Sequence, residues 1–240
     1  MATLEELKKY AIKSQIQLQH IFREYCQNIF LSFLYQQKKA AMLLFKGGTA
    51  LRIVYNSPRY SEDLDFSIAN LSNKEIEDIM VAVLYQLEKM NLPTGIKESK
   101  ETTGGYLADL TVDMQGEPVR IAIQGSRRKI RDTIPNVMVI DNEYIPPYTV
   151  FLLHRYELVK EKIQAARTRK KPRDFYDLYF LMRANMIDIS YRSLLTDIPA
   201  ILETEKIDFK QELKIFLPHS HWAIIRDFKK NLLQEMQRFI

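Results

Sequence analysis

The sequence contains one cysteine, Cys26, in 240 residues. That excludes an internal disulfide framework and fits a reducing cytoplasm. Cys26 falls on an apolar helical stretch and reads as buried filler rather than a nucleophile. No apolar run approaches the roughly 18 residues needed to span a bilayer, and no signal peptide opens the chain. A cytoplasmic protein with no membrane partner is expected. Internal repeats and low-complexity segments are absent, as is any Ser/His/Asp or Cys/His arrangement for nucleophilic catalysis. Histidine offers little: His219-Ser220-His221 lacks a cysteine or acid at ligand spacing, and His20 and His154 fall on expected helices with structural roles.

What is present is ordinary for a globular protein, with 46% hydrophobic and 27% charged residues. The length allows one good core, or one domain plus a helical extension. The net charge of +5 makes a polyanion partner plausible, and its placement matters more than its sum. The excess lies in two runs, Arg127-Arg128-Lys129-Ile130-Arg131 and Arg167–Arg173, the second with Arg167, Arg169, Lys170, Lys171 and Arg173. Either is a solvated loop or a place for an RNA backbone to dock, with affinity that falls steeply as salt rises.

The rest of the chain is organised around FKGGTALRIVYNSPRYSEDLDFSI, Phe45–Ile68. A short apolar run, Met42–Phe45, reads as a strand and leads into Gly47 and Gly48. Thr49–Tyr55 reads as a helix, and Ser57–Tyr60 breaks it. Asp63-Leu64-Asp65 then opens a second strand through Ile68. Side chains alternate along a strand, so Asp63 and Asp65 share one face while Leu64 and Phe66 point into the core. Two such carboxylates form a hard-oxygen site suited to Mg²⁺. Glycines at a helix start let backbone N–H groups approach a phosphate. The combination, about 15 residues apart, points to phosphoryl or nucleotidyl transfer.

Around this stretch, residues 4–13 read as a short polar helix. Ser14–Gln36 reads as an amphipathic helix with the stripe Leu18, Phe22, Tyr25, Ile29 and Phe33. Ser72 and Glu75 form a capping box for a helix that ends before Pro93. Thr94–Lys100, Tyr106–Met114 and Val119–Gln124 read as strands joined at Gly104-Gly105 and Gln115–Pro118, with Val137–Ile140 as an edge strand. Pro146-Pro147 marks a boundary, and everything after Val150 reads as helical: about 150–168, a helix starting near Pro172, then 190–203 and 219–239. The expected class is α+β, a domain over 1–147 followed by an all-helical domain over 148–240 that completes the active site.

KGGTALR, RYSEDLDF and EKIQAARTRKKPRDFYDLY, in this order between Phe45 and Phe180, resemble the AbiEii/AbiGii nucleotidyltransferase toxin family of the polymerase-β-like superfamily. The resemblance implies a polymerase-β-like nucleotidyltransferase domain, a mixed sheet with flanking helices. It also implies a toxin of a toxin–antitoxin or phage-defence module that adds nucleotides to RNA, tRNA acceptor ends above all, with a cognate antitoxin. By that resemblance Gly47, Gly48 and Thr49 hold the triphosphate, Asp63 and Asp65 bind Mg²⁺ or Mn²⁺, and Ser61 contacts phosphate oxygens. Arg59 and Arg52 are secondary candidates for phosphate or scaffold. The third segment supplies Lys162 as a charge for the triphosphate, with Arg173, Asp174 and Asp177. The two aspartates lie three residues apart on one helical face; one could orient Lys162, and Asp174 could instead serve the helix dipole.

One departure stands out. The superfamily takes a third carboxylate from a later strand, where this chain reads Arg120-Ile121-Ala122-Ile123. Asp109 or Asp113 on the preceding strand could substitute. Two rival readings therefore stand beside transfer to RNA: transfer of a nucleotide to a protein hydroxyl, and a nucleotide-binding regulatory module that has lost turnover.

Overall fold

The computed structural model describes residues 1–127 and 135–239. The chain divides into two compact units, Met1–Asn56 with Tyr60–His154, and Ser57–Arg59 with the chain from Arg155 onward.

The first unit holds helices α1 (Leu4–Lys13), α2 (Leu18–Leu34), α3 (Gly47–Tyr55) and α4 (Asn73–Lys89). Its strands are β1 (Leu43–Lys46), β2 (Asp63–Ile68), β3 (Thr94–Thr102), β4 (Gly105–Met114), β5 (Glu117–Arg127), β6 (Asn136–Ile140) and β7 (Tyr148–Leu152). They form one seven-stranded sheet in the order β3-β4-β5-β2-β1-β7-β6. The β2–β5 and β1–β7 pairs are parallel and the others antiparallel, so the sheet is mixed. β1 and β2 are interior strands, with every β1 residue buried. Phe45 and Phe66 pair across them, ring centroids 5.7 Å apart. Burying such a ring contributes roughly 2–3 kcal/mol, which fixes the register of the strands that carry the carboxylates.

Local signals set the element ends. Asn56, at φ 59°, closes α3 in the left-handed conformation. Ser72 and Glu75 cap α4 reciprocally as the capping box predicts, Ser72 Oγ accepting from Glu75 N and Glu75 Oε2 from Ser72 N. Two expectations change here. The helix expected from Ser14 is interrupted at Gln15 (φ 53°) and starts again at Leu18. Between His20 and Leu31 that helix is buried all round except at Arg23, because α1, α4 and the sheet pack around it. The helical reading after Val150 also gives way, since β7 runs to Leu152 and is held between β1 and β6.

The second unit is helical: α5 (Arg155–Thr168), α6 (Pro172–Arg183), α7 (Arg192–Leu195), α8 (Ile198–Thr204), α9 (Phe209–Phe216), α10 (Trp222–Arg226) and α11 (Phe228–Met236). Pro172 occupies the first turn of α6, where its missing N–H costs nothing. The two long helices expected over 190–203 and 219–239 are instead short segments. Asp208 caps α9 by accepting from Lys210 N and Gln211 N, and the non-helical backbone of Asp227 separates α10 from α11. Their core is aromatic, Phe228 packing against Phe209, Tyr176 and Tyr179.

Candidate active site

In the sheet unit the carboxylates stand where the alternation places them. Along β2, Leu64 and Phe66 are buried while Asp63 and Asp65 are half-buried. Asp65 pairs in register with Lys46 on β1 and Gln124 on β5. Asp63 pairs with Ala122, which pairs in turn with Asp109 on β4. The carboxylate face thus carries two cross-strand rows, Lys46–Asp65–Gln124 and Asp63–Ala122–Asp109.

The glycines follow directly from β1. Gly47 sits at φ +81°, and a Cβ built on it would lie 2.0 Å from Asp65 Oδ2. Any side chain here would be strained by its backbone and would displace the carboxylate. This contact joins the start of α3 to Asp65. Gly48 and Thr49 follow, both buried. The Thr49 hydroxyl donates to the backbone carbonyl of Asp63 at 2.5 Å, so its side chain ties α3 to the start of β2. Ser61 is half-buried just ahead of the strand. Its carbonyl and that of Glu62 both accept from Gln27 Nε2, at 3.2 and 3.0 Å, which anchors this segment to α2.

Lys46 was passed over in the sequence. It is 6% exposed, and its ammonium donates to Ser126 Oγ at 2.8 Å across the carboxylate face. The signal was a lysine ending an apolar strand just before two glycines. Arg52 makes a two-point pair with Glu24 and lies 3.9 Å from the Tyr60 ring centroid, contacts that suit the scaffold role.

Both substitutes for the third acid have partners of their own. Asp109 accepts from Arg120 Nε at 2.8 and 2.9 Å. The Arg120 pKa is raised, chiefly by that hydrogen bond, with the Asp63 and Glu62 charges adding to it. At about 4.8 Å per strand, the Asp109 backbone lies roughly 10 Å from that of Asp63, with Ala122 between. Asp113 accepts from Gly116 N in the β4–β5 turn.

In the helical unit the third segment forms a buried cluster. Arg59 Nε and Nη2 donate to Asp177 Oδ1 and Oδ2 at 2.8 and 3.0 Å, and Lys162 Nζ donates to Oδ2 at 2.8 Å. Arg59, Lys162 and Asp177 are 3, 7 and 1% exposed. Burial pushes the Asp177 carboxyl up, but the Arg59 and Lys162 charges outweigh it and hold the pKa at about 2. Asp177 therefore orients Lys162. Asp174 takes the capping role: its Oδ2 accepts from Lys171 N at 3.2 Å and its Oδ1 from Arg169 at 2.5 Å. Arg173 lies 3.4 Å from Glu212.

The second basic run is largely compensated. Arg167 pairs with Asp197, Arg169 with Asp174 and Lys170 with Glu205. Arg127 donates to the Leu71 carbonyl and to Asn73 Oδ1. Arg128, Lys129, Ile130 and Arg131 lie outside the described residues.

A mixed sheet that presents two same-face carboxylates beside a glycine-started helix is the architecture of a nucleotidyltransferase. Residues 29–238 match the family described as nucleotidyl transferase AbiEii toxin, type IV toxin–antitoxin system, and the chain belongs to that family. Among solved structures it is similar to JHP933 from Helicobacter pylori, at 20% identity and a TM-score of 0.64 over 93% of each chain. It is also similar to a candidate nucleotidyltransferase from H. pylori, at 18% identity and a TM-score of 0.63 over 93% of this chain and 96% of that one. No curated protein matches.

Proposed function

We propose that this nucleotidyltransferase moves a nucleoside monophosphate from a nucleoside triphosphate to RNA, with the tRNA acceptor end as the favoured substrate. It would act as the toxin of a toxin–antitoxin or phage-defence module and be restrained by a cognate antitoxin. The observation that carries the chemistry is the junction of Gly47 with Asp65. A helix start and the carboxylate strand converge there, and backbone N–H groups at a helix start suit a phosphate.

Asp63 and Asp65 fit a divalent cation by donor chemistry, being hard oxygens on one face of a rigid strand and only half-buried. Mg²⁺ or Mn²⁺ held there would neutralise charge on the triphosphate and the attacking oxygen. The RNA hydroxyl attacks the α-phosphorus and pyrophosphate leaves. Gly47 and Gly48 offer backbone N–H groups to the phosphates, Thr49 locks α3 to β2, and Lys46 adds a buried positive charge beside Asp65. Family resemblance supports triphosphate contact by Lys162, whose ammonium Asp177 keeps in place.

The test is transfer of label from each of four nucleoside triphosphates to total tRNA with Mg²⁺, wild type against Asp63→Ala. Label entering tRNA with the wild type alone is the expected result. Label on a protein instead would favour transfer to a protein hydroxyl. The alanine at the third-acid position favours one further reading, binding without turnover. Triphosphate binding with no pyrophosphate release would establish it.

A further inference from the structure

Of the expected RNA-facing charge, Arg167, Arg169 and Lys170 are already paired inside the helical unit. Further positive charge of the helical unit gathers later in the chain. A cavity of about 1260 Å³ between the start of α9 and the α10–α11 segment is lined by Lys206, Lys210, Arg226, Lys229 and Lys230. All five are exposed. Among the described residues none of their side chains makes an ion pair or hydrogen bond. Two carboxylates, Asp208 and Asp227, share the lining, and Asp208 is occupied in capping α9. Lys206 and Asp208 also line an adjoining cavity of about 640 Å³ with Lys171, Glu205 and Glu212, where the charge is mixed.

We propose that this cavity is a docking surface for the phosphate backbone of the RNA substrate, a role that rests on transfer to RNA. The cations stand on two flanks, Lys206 and Lys210 around the α9 start and Arg226, Lys229 and Lys230 around the α10–α11 junction. A chain of phosphates passing between them meets charge on both sides. Unpaired cations gain most from such a contact, because no internal pair has to be broken and released counterions drive association. Paired residues such as Arg167 must first give up a carboxylate, a small cost at the surface but one that cancels much of the gain.

The experiment is binding of labelled total tRNA to the full chain across a salt series, with K229Q/K230Q compared to R167Q/K170Q. Both pairs keep side chains suited to a helix. K229Q/K230Q is expected to weaken binding roughly tenfold near 0.15 M salt and to lower the salt slope by about 1.5 to 2. R167Q/K170Q is expected to change affinity by less than about twofold. Wild-type binding that K229Q/K230Q leaves unaltered in affinity and slope would overturn the docking surface and leave RNA transfer standing. Unaltered RNA binding with lost association to the antitoxin would overturn it in favour of a protein partner. A wild type that binds no RNA at any salt and labels only protein would overturn the RNA reading and the surface together.

Discussion

The chain carries two pairs of aspartates at short spacing, and they do different work. Asp63 and Asp65 stand on a strand, two residues apart, half-buried on a face lined by Gly47 and Ala122. Asp174 and Asp177 stand on α6, three apart, each 1% exposed, and bond to Arg59, Lys162, Arg169 and Lys171 of the helical unit. A carboxylate wrapped by Arg59 and Lys162 is satisfied and has no capacity left for a ligand. One that keeps solvent access at a strand's end retains capacity for a cation. Burial, more than residue type, separates scaffold acids from candidate ligands.

The largest effect should come from the first pair. Asp63→Ala is expected to lower nucleotide transfer by about 10³-fold or more, since charge stabilisation at the reacting phosphate is lost. Its stability, read by urea unfolding, should move by no more than about 1 kcal/mol, because the residue is half-buried. A variant that unfolds as easily as it loses activity would make Asp63 a scaffold residue and dissolve the contrast.

Asp177 should behave in the opposite way. Asp177→Ala strands the buried Arg59 and Lys162 charges, and removing one member of such a set costs about 3–5 kcal/mol. Replacing Arg59, Lys162 and Asp177 together by apolar residues of similar volume should recover much of that stability. If the triple variant is stable yet inactive while Asp177→Ala is merely unstable, the cluster acts in catalysis through Lys162 as well as in folding.

The same cluster sets a pH response. The Asp177 pKa is about 2 when folded against an ordinary 3.8, so the native state binds this proton less readily. Its stabilising contribution is complete above about pH 4 and lost as pH falls through about 2, an effect on the order of 2 kcal/mol. Acid titration of the unfolding midpoint in wild type and in the apolar triple variant measures it as the difference between the two curves. Coincident curves would show that Asp177 is not held by Arg59 and Lys162 in solution.

How much of this was legible follows from the range of the interactions. The two central strands, the glycine helix start, the same-face carboxylates and the Ser72–Glu75 cap were readable because each depends on neighbours within a few residues. β7 was hidden because Tyr148–Leu152 directly precedes a helical periodicity and is a strand only through its partners β1 and β6. The role of Arg59 was left between phosphate and scaffold, for its partner Asp177 lies 118 residues away. The charge of the 167–173 run was overcounted for the same reason, as Asp197 and Glu205 stand 30 and 35 residues beyond Arg167 and Lys170. The cations around Lys229 were overlooked because they are dispersed in sequence and gather only where α9 meets the α10–α11 segment.

The smallest effect sharpens the distinction within the second pair. Asp174 closes the first turn of α6 with one oxygen on Lys171 N and the other on Arg169. Asp174→Asn keeps an acceptor for the backbone N–H and loses the charge that favours a helix start, which should cost about 0.5–1 kcal/mol. Asp174→Ala loses both and should cost about 1–2 kcal/mol. The graded order Asp, Asn, Ala in unfolding, with transfer activity per folded molecule unchanged, is what a cap requires. An asparagine variant that folds like wild type but transfers tenfold more slowly would take Asp174 out of the scaffold class and place its charge in the reaction.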